Sequence, residues 1–283
     1  MDFIADNQSG IDKGPVAKIL VVDDDILNQR MMQLLLSREG YLVDVVSNGL
    51  EALEAVKQQQ YNVVFMDLQM PVMDGVETSR RIREWENGGQ HTFIVALTAS
   101  YLPENGQELF EAGLDNYISK PFELEHIHQL LKYSLNAQPV STNTDSSLAQ
   151  EGPPESVLDI RKGIRQVGGD LNSYRDLLRD FIYELPGRLQ AIQDRFAGKD
   201  WEALARAAHN LSGIAANLGA LQLSYYAQTL DKQSVEGYTE ALDHLIGEIK
   251  LTGEKLIETS NDFLAAEKSE RQIILENWSL SEE

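Results

Sequence analysis

Asp23 and Asp24 close the apolar run Leu20-Val21-Val22, Asp67 closes Val63–Met66, Thr98 closes Val95-Ala96-Leu97, and Lys120 stands before Pro121 after Tyr117-Ile118. Each stretch turns from apolar to polar at the same point. A sheet that aligned them would gather three carboxylates, a hydroxyl and an ammonium along one edge. Neighbouring carboxylates in a protected place cannot all stay ionised without compensation, and a hard divalent cation with oxygen ligands suits them best. Any one of these aspartates alone would pass for a cap or turn residue. Four coordinated strand ends would not.

A second constellation surrounds His209. Leu204, Ala208, Leu211, Ala215 and Leu218 recur at steps of four and three and mark the core stripe of a helix. His209 lies about 200° from Leu211 at 100° per residue, so the pattern predicts that it points to solvent. Ala205, Ser212 and Gly213 lie one turn away and Ala216 two, all of them small. An imidazole in such a ring is open to a bulky partner. A lone surface histidine without a role also fits these residues, since no Cys, second His or Glu falls at metal-ligand spacing on that face. Nor is there a Ser/Asp arrangement of the hydrolytic kind.

The elements that must carry these residues differ between the two halves. Over 18–135, strands at Lys18–Val22, Val43–Val46, Asn62–Met66, Phe93–Leu97 and Tyr117–Ile118 alternate with helices at Leu27–Leu36, Gly49–Gln58, after Gly75, around Glu104–Glu111 and at Glu123–Leu135. Five β-α repeats with short connections predict an α/β doubly wound, five-stranded parallel sheet. Its site belongs at the carboxyl ends of the strands. Residues 136–156, rich in Ser, Thr, Asn, Gln and Pro, predict a flexible linker. Over 157–265 the pattern is helical: Asp159–Val167, Asn172–Phe196, Asp200–Leu218, Leu221–Gln233 and Glu236 to about Leu264. Asp170 and Asp200 stand as N-caps, and Gly168-Gly169, Gly198 and Gly219 as stops. Pro186 is expected to interrupt and kink the second of these helices. An all-α antiparallel four-helix bundle follows. Residues 1–17 form an N-terminal extension. Residues 266–283, with Ile273, Ile274, Leu275 and Trp278 among charges, form a tail that is either a docking helix or disordered.

Composition narrows the function classes. The 283 residues include no cysteine, which removes disulfides, thiolate metal sites and a cysteine nucleophile, and suits a reducing compartment. Met1–Asp6 is acidic where a signal peptide is basic, and no apolar run reaches the ~18 residues of a membrane span. A cytoplasmic location without membrane contact is expected. The net charge is −21, with 10 basic against 21 acidic residues in 1–135 and 14 against 24 in 136–283. Neither half offers the clustered cations of a nucleic-acid surface. Arg80-Arg81-Ile82-Arg83, the one local basic cluster, is read as a solvated helix face.

Taken in order and spacing, Val-Val-Asp-Asp, Met-Asp-Leu-Gln-Met-Pro-Val-Met-Asp-Gly, Leu-Thr-Ala and Lys-Pro resemble the response-regulator receiver domain over about 18–135. The resemblance implies that Asp67 accepts a phosphoryl group. It implies Mg²⁺ held by Asp24, Asp23 and Asp67, Asp23 acting through water, with the Gln69 carbonyl as a further ligand. Lys120 would pair with phosphoryl oxygens, Thr98 would move to hydrogen-bond them, Tyr117 would turn inward as Thr98 shifts, and the Lys120-Pro121 bond would be cis. Over about 157–263 the chain resembles a histidine phosphotransfer domain through Asp200-Trp201-Glu202-Ala203-Leu204, Ala208-His209-Asn210-Leu211-Ser212-Gly213 and Leu218-Gly219-Ala220. His209 matches the phosphorylated histidine, and Ser212 stands where many members have Lys. A hydroxyl can donate to a phosphoryl oxygen but brings no charge.

Together these imply a phosphorelay carrier rather than an enzyme with a separate substrate, in which the receiver assists its own phosphorylation and dephosphorylation. A sensor histidine kinase would be donor and another response regulator's receiver the acceptor. The C-terminal part of a hybrid sensor kinase has the same order of domains. A linker of 21 residues reaches roughly 25 Å when flexible, enough for His209 to meet the Asp67 edge within one chain. The rivals are a Mg²⁺-dependent aspartyl-phosphate hydrolase of the same sheet class, for which the short loops offer no cap, and a phosphorylation-independent interaction module, against which Asp24, Asp67, Thr98 and Lys120 all stand intact.

Overall fold

The computed structural model describes residues 17–98, 106–121, 124–136, 152–234 and 239–266. Strands β1 (Lys18–Val22), β2 (Leu42–Val46), β3 (Val63–Asp67), β4 (Phe93–Thr98) and β5 (Asn116–Ser119) alternate with helices α1 (Ile26–Arg38), α2 (Gly49–Gln58), α3 (Gly75–Glu86), α4 (Gly106–Glu111) and α5 (Leu124–Asn136). Every strand pairing is parallel, in the order β2-β1-β3-β4-β5. The order therefore reverses between β1 and β3, where a doubly wound sheet opens its crevice.

Alternation along the strands divides the core. Ile19, Val21, Val63, Phe65, Val95 and Leu97 pack with Met31, Leu35 and Ile127 on one face, and Leu20, Val22, Val64, Met66, Ile94 and Ala96 pack with Ala52, Val56 and Ile82 on the other. Both faces are covered by helices, which is why the strands are continuous apolar runs instead of alternating ones. Each large side chain so buried contributes about 1.5–3 kcal/mol. At the end of the sheet remote from Asp67, Arg83 ties three elements together. Its guanidinium donates to the Gly113 carbonyl at 2.9 Å, the Thr92 carbonyl at 2.9 Å, Glu86 at 2.7 Å and Asp115 at 2.7 Å. The expected solvated face thus holds for Arg80 and Arg81, which are exposed, but not for Arg83, whose partners come from later in the chain.

The second half consists of α6 (Ile160–Gln166), α7 (Leu171–Ala197), α8 (Trp201–Asn217), α9 (Leu221–Ser234) and α10 (Thr239–Ala265). Asp159, Asp170 and Asp200 each accept the amide three residues on and cap α6, α7 and α8. The α8–α9 turn needs its glycine: Gly219 has φ +80°, and a Cβ there would lie 2.1 Å from the Asp159 carbonyl. Four helices, α7 to α10, pack around Tyr174, Phe181, Leu185, Leu211, Ile214, Leu223 and Leu256 as a bundle. Contrary to expectation, α7 is not interrupted at Pro186 but continues through it. Leu185 and Leu189 on either side are buried, and that packing outweighs the ~3 kcal/mol a mid-helix proline costs.

The two halves are in contact. Helix α1 lies antiparallel along α7, with Asp25 paired to Arg188, Arg30 to Asp180 and Arg38 to Asp170 at 3.9 Å. A single apolar cluster runs from the α1/α5 face of the sheet into the bundle. Among the described residues, no helix is long and apolar enough to cross a membrane. The expected extension apart from residue 17, the linker over 137–151, the start of the helix around Glu104 and the tail from 267 lie outside the described residues.

Candidate functional site

Parallel register brings the polar strand ends together. Asp23 follows β1, Asp67 ends β3, Thr98 ends β4 opposite Ser119, and Lys120 directly follows β5 and is joined to Pro121 by a cis bond. The buried Lys120 ammonium bridges two carboxylates, 3.0 Å from Asp23 Oδ2 and 2.6 Å from Asp67 Oδ2. Asp23 Oδ1 accepts from the Asp25 amide at 2.9 Å and from Asn28 at 3.2 Å. Asp67 Oδ1 accepts from the Gln69 amide at 3.1 Å. Beneath them Gln29 donates to the Asp23 carbonyl at 2.6 Å and to Ser47 at 3.0 Å, holding the β1 end in place.

The electrostatics of the cluster are uneven. Burial pushes the Asp23 carboxyl up to about 7, Lys120 pulling it down and Asp67 pushing it further up. Asp24 is also raised, by burial first, against the hydrogen bond it accepts from Asn210. Burial pushes Asp67 the same way, but Lys120, then His209, then the Gln69 amide outweigh it and hold its carboxyl below the usual range. Lys120 is kept charged: Asp23 and Asp67 overcome the cost of burial and raise it. One ammonium faces three carboxylates, a deficit of cationic charge.

Asp23, Asp24 and Asp67 each offer an oxygen within 4.8 Å of the others. Asp24 Oδ1 is buried without a hydrogen-bond partner. An all-oxygen set with an orphaned acceptor and excess negative charge fits a small hard dication such as Mg²⁺. Asp25, the third of the run, is not part of this set. It caps α1 through the Leu27 and Asn28 amides and pairs with Arg188.

His209 comes to the same edge. Its neighbour Asn210 donates to Asp24 Oδ2 at 3.1 Å. A Cβ on Gly213, one turn further, would lie 3.5 Å from the Lys120 side chain. His209 is close enough to Asp67 to hold that carboxyl down. It is only 4% exposed, which corrects the expectation that it faces solvent: it does leave its own helix's core stripe, but the receiving edge and α9 cover it. Nδ1 lies 3.1 Å from Asp231 Oδ2, while Nε2 is buried without a partner. A carboxylate only accepts, so Nδ1 is the ring nitrogen that donates to Asp231, and Nε2 is the one left free for other chemistry. Asp231 was missed in the sequence because it stands 22 residues away on α9. Ser212 does not serve the imidazole, since its hydroxyl lies 3.3 Å from Ser224 Oγ on α9. Thr98 and Tyr117 are half-buried, Tyr117 registered with Ala96 and packed on the α2/α3 side of the sheet.

Comparison with known proteins agrees with this geometry. Residues 19–132 match the response regulator receiver domain, and residues 176–256 match the Hpt domain. The chain joins a receiver domain to an Hpt domain. It is 31% identical over 242 residues to the sensor histidine kinase GacS of Pseudomonas protegens, covering 82% of this chain and 26% of that protein. It is 27% identical to the signal transduction histidine-protein kinase BarA of Escherichia coli, covering 78% of this chain and 24% of that one. The chain thus spans about a quarter of the length of these hybrid-kinase relatives. Among solved structures, the receiver domain of sensor histidine kinase PA1611 from Pseudomonas aeruginosa, with a magnesium ion in its active-site cleft, is 33% identical. It covers 43% of this chain and 99% of that one at a TM-score of 0.40. Receiver and Hpt domains are the modules of phosphoryl-transfer signalling, and they occur here in the order found in those kinases.

Proposed function

We propose that this chain is a phosphorelay intermediate in which the receiver takes a phosphoryl group on Asp67 and exchanges it with His209 of its own Hpt domain. The observation that carries the reading is the placement of His209, Asn210 and Gly213 against Asp67, Asp24 and Lys120. In the first step an Asp67 oxygen forms a P–O bond as the P–N bond of a kinase phosphohistidine breaks and the imidazole leaves. In the second, the Nε2 lone pair of His209 forms a P–N bond as the P–O bond breaks, returning the Asp67 carboxylate to Lys120. The Nδ1–H bond to Asp231 keeps Nε2 available and meets the positive charge that develops on the ring.

Phosphoryl transfer asks chiefly for in-line positioning and for cations around the three equatorial oxygens. Lys120 supplies one cation, and Thr98 a hydroxyl at the neighbouring strand end. Asp23, Asp24, Asp67 and the Gln69 carbonyl would hold Mg²⁺, which supplies the second positive charge. Thr98 and Tyr117 would report the modification toward α4. In domain terms, 18–135 is the receiver, 136–156 a linker and 157–265 the Hpt domain, flanked by an extension over 1–17 and a tail over 266–283. The partners would be a cytoplasmic sensor kinase as donor and a second response regulator as acceptor. A receiver that assists its own loading and hydrolysis completes the proposal.

The test loads the full chain with a small-molecule phosphodonor and maps the modified residues. Wild type should carry acid-labile phosphate on His209 and base-labile phosphate on Asp67. His209→Gln should keep only the second and Asp67→Ala neither. Phosphate on His209 in Asp67→Ala from this donor would show that the histidine is loaded without the receiver, and would sink the intrachain step.

A further inference from the structure

Helix α1 is unlike the rest of its domain. The receiver half carries 21 acidic against 10 basic residues, yet Ile26–Arg38 contains no acidic side chain and two arginines. Both arginines face the bundle: Arg30 pairs with Asp180, and Arg38 lies 3.9 Å from Asp170. The acidic N-cap of the same helix, Asp25, pairs with Arg188, which Glu184 on its own helix steadies at 2.7 Å. Along α7 the order is acid, acid, base; along the antiparallel α1 it is base, base, acid when counted back from Arg38. The two halves are both strongly negative, so long-range charge drives them apart. Docking on this face therefore rests on local contacts, the apolar cluster that the two halves share and these pairs, and of the two only the pairs can tell one charged partner from another.

We infer that the α7/α8 face of the Hpt domain is a receiver-docking surface keyed by this reciprocal charge pattern, and that the chain's own receiver occupies it in competition with any second receiver. The fitting partner is a receiver whose α1 has an acidic N-cap, an arginine or lysine five residues on, and no acid between them. A receiver with an acid at the Arg30 position would set two carboxylates against each other at Asp180 and be turned away. Because His209 is buried under the docked receiver, a second receiver reaches it only after the first has left.

This inference rests on the proposed relay for its biological use, but docking itself can be read without phosphate. The chain has no cysteine, so Gln58→Cys on α2 and Glu258→Cys on α10, both exposed, place a dye pair that reports the distance between the halves of the full chain. Arg30→Asp alone and Asp180→Arg alone should each lower the docked-to-open ratio about fivefold, at the upper end for an exposed pair. The combined Arg30→Asp/Asp180→Arg chain should return it to the wild-type value. Arg188→Gln, which leaves the buried Asp25 carboxylate unpaired, should lower the ratio more than about tenfold. Unchanged single variants, or a combined chain as open as the singles, would overturn the charge key.

The competition has its own arm. A His209→Gln chain loaded on Asp67 donates to an Asp67→Ala acceptor, whose rate of labelling should rise several-fold when that acceptor also carries Arg30→Asp, since its own receiver then leaves the face free. An unchanged or lower rate would overturn the competition. Absence of transfer to His209 in every mixture would instead overturn the relay reading and leave the docking result standing.

Discussion

Metal binding at the Asp23/Asp24/Asp67 cluster should expel a proton below neutral pH, and its affinity should weaken accordingly. A carboxylate must be ionised to ligate, and burial pushes the Asp23 carboxyl up to about 7. With one such group the ionised fraction is about 0.9 at pH 8, about 0.5 at pH 7 and about 0.1 at pH 6, so the apparent Mg²⁺ affinity should fall roughly tenfold from pH 8 to pH 6. Titration calorimetry in two buffers of different ionisation enthalpy measures the accompanying release, which should be about 0.9 proton per ion at pH 6 and about 0.1 at pH 8. Without metal the sign is the reverse of the common carboxylate case. The folded Asp23 binds its proton more tightly than the unfolded one, at 3.8, so its contribution to stability is greatest in acid and is lost as pH rises toward about 7. Asp67, held below its usual range, works in the opposite sense and only in more acidic solution. An affinity that stays level from pH 8 to pH 6, or binding without proton release at pH 6, would refute the assignment. Equal release from Asp23→Asn would move the proton to Asp24, which is also raised.

Asp231→Asn should leave Asp67 loading unchanged while slowing its exchange with His209 by about 10²-fold, because an amide no longer fixes the imidazole hydrogen on Nδ1 or meets its developing charge; rapid-quench kinetics separates the two steps. Thr98→Ala should still accept phosphate but show a smaller change in amide exchange over the described residues 106–118, and a wild-type exchange pattern would remove Thr98 from the switch. Gly163→Ala should destabilise the Hpt domain by about 1–3 kcal/mol, since its Cβ would meet Tyr174 at 2.3 Å and the Leu218 carbonyl at 2.5 Å; the thermal midpoint measures it.

What could be read from the residues was whatever depends on local pattern. The strand runs, the polar switch at each strand end and the aspartate caps on α7 and α8 all depend on neighbours within a few positions, and Asp23, Asp67 and Lys120 meet where those runs predict. What escaped depends on surfaces meeting across the chain. The helical period correctly turned His209 out of its own helix's stripe, but it carries no information about the receiver edge that buries it. Arg83 reads as part of a solvated face because its partners Gly113 and Asp115 come 30 and 32 residues later. Asp231 escapes for the same reason: the Ser212–Ser224 contact and the His209–Asp231 bond both span the turn at Gly219 but centre on residues 218 and 220, so no single fold-back register names the partner of His209.

The Arg83 node has a mechanical consequence. Its four bonds pin the end of α3, the entry to β4 and the turn before β5 to one guanidinium, whereas Thr98 stands at the other end of β4, with Tyr117, registered with Ala96, between them. The β4/β5 corner of the sheet is thereby a lever with a fixed fulcrum. A displacement imposed at the Asp67 end should therefore swing these strands about Arg83, with motion expected to be greatest beside Thr98 and to die out toward Thr92. Cutting the fulcrum, as Arg83→Met would, should let the corner slide as a whole and spend on translation the movement that the intact domain converts into rotation.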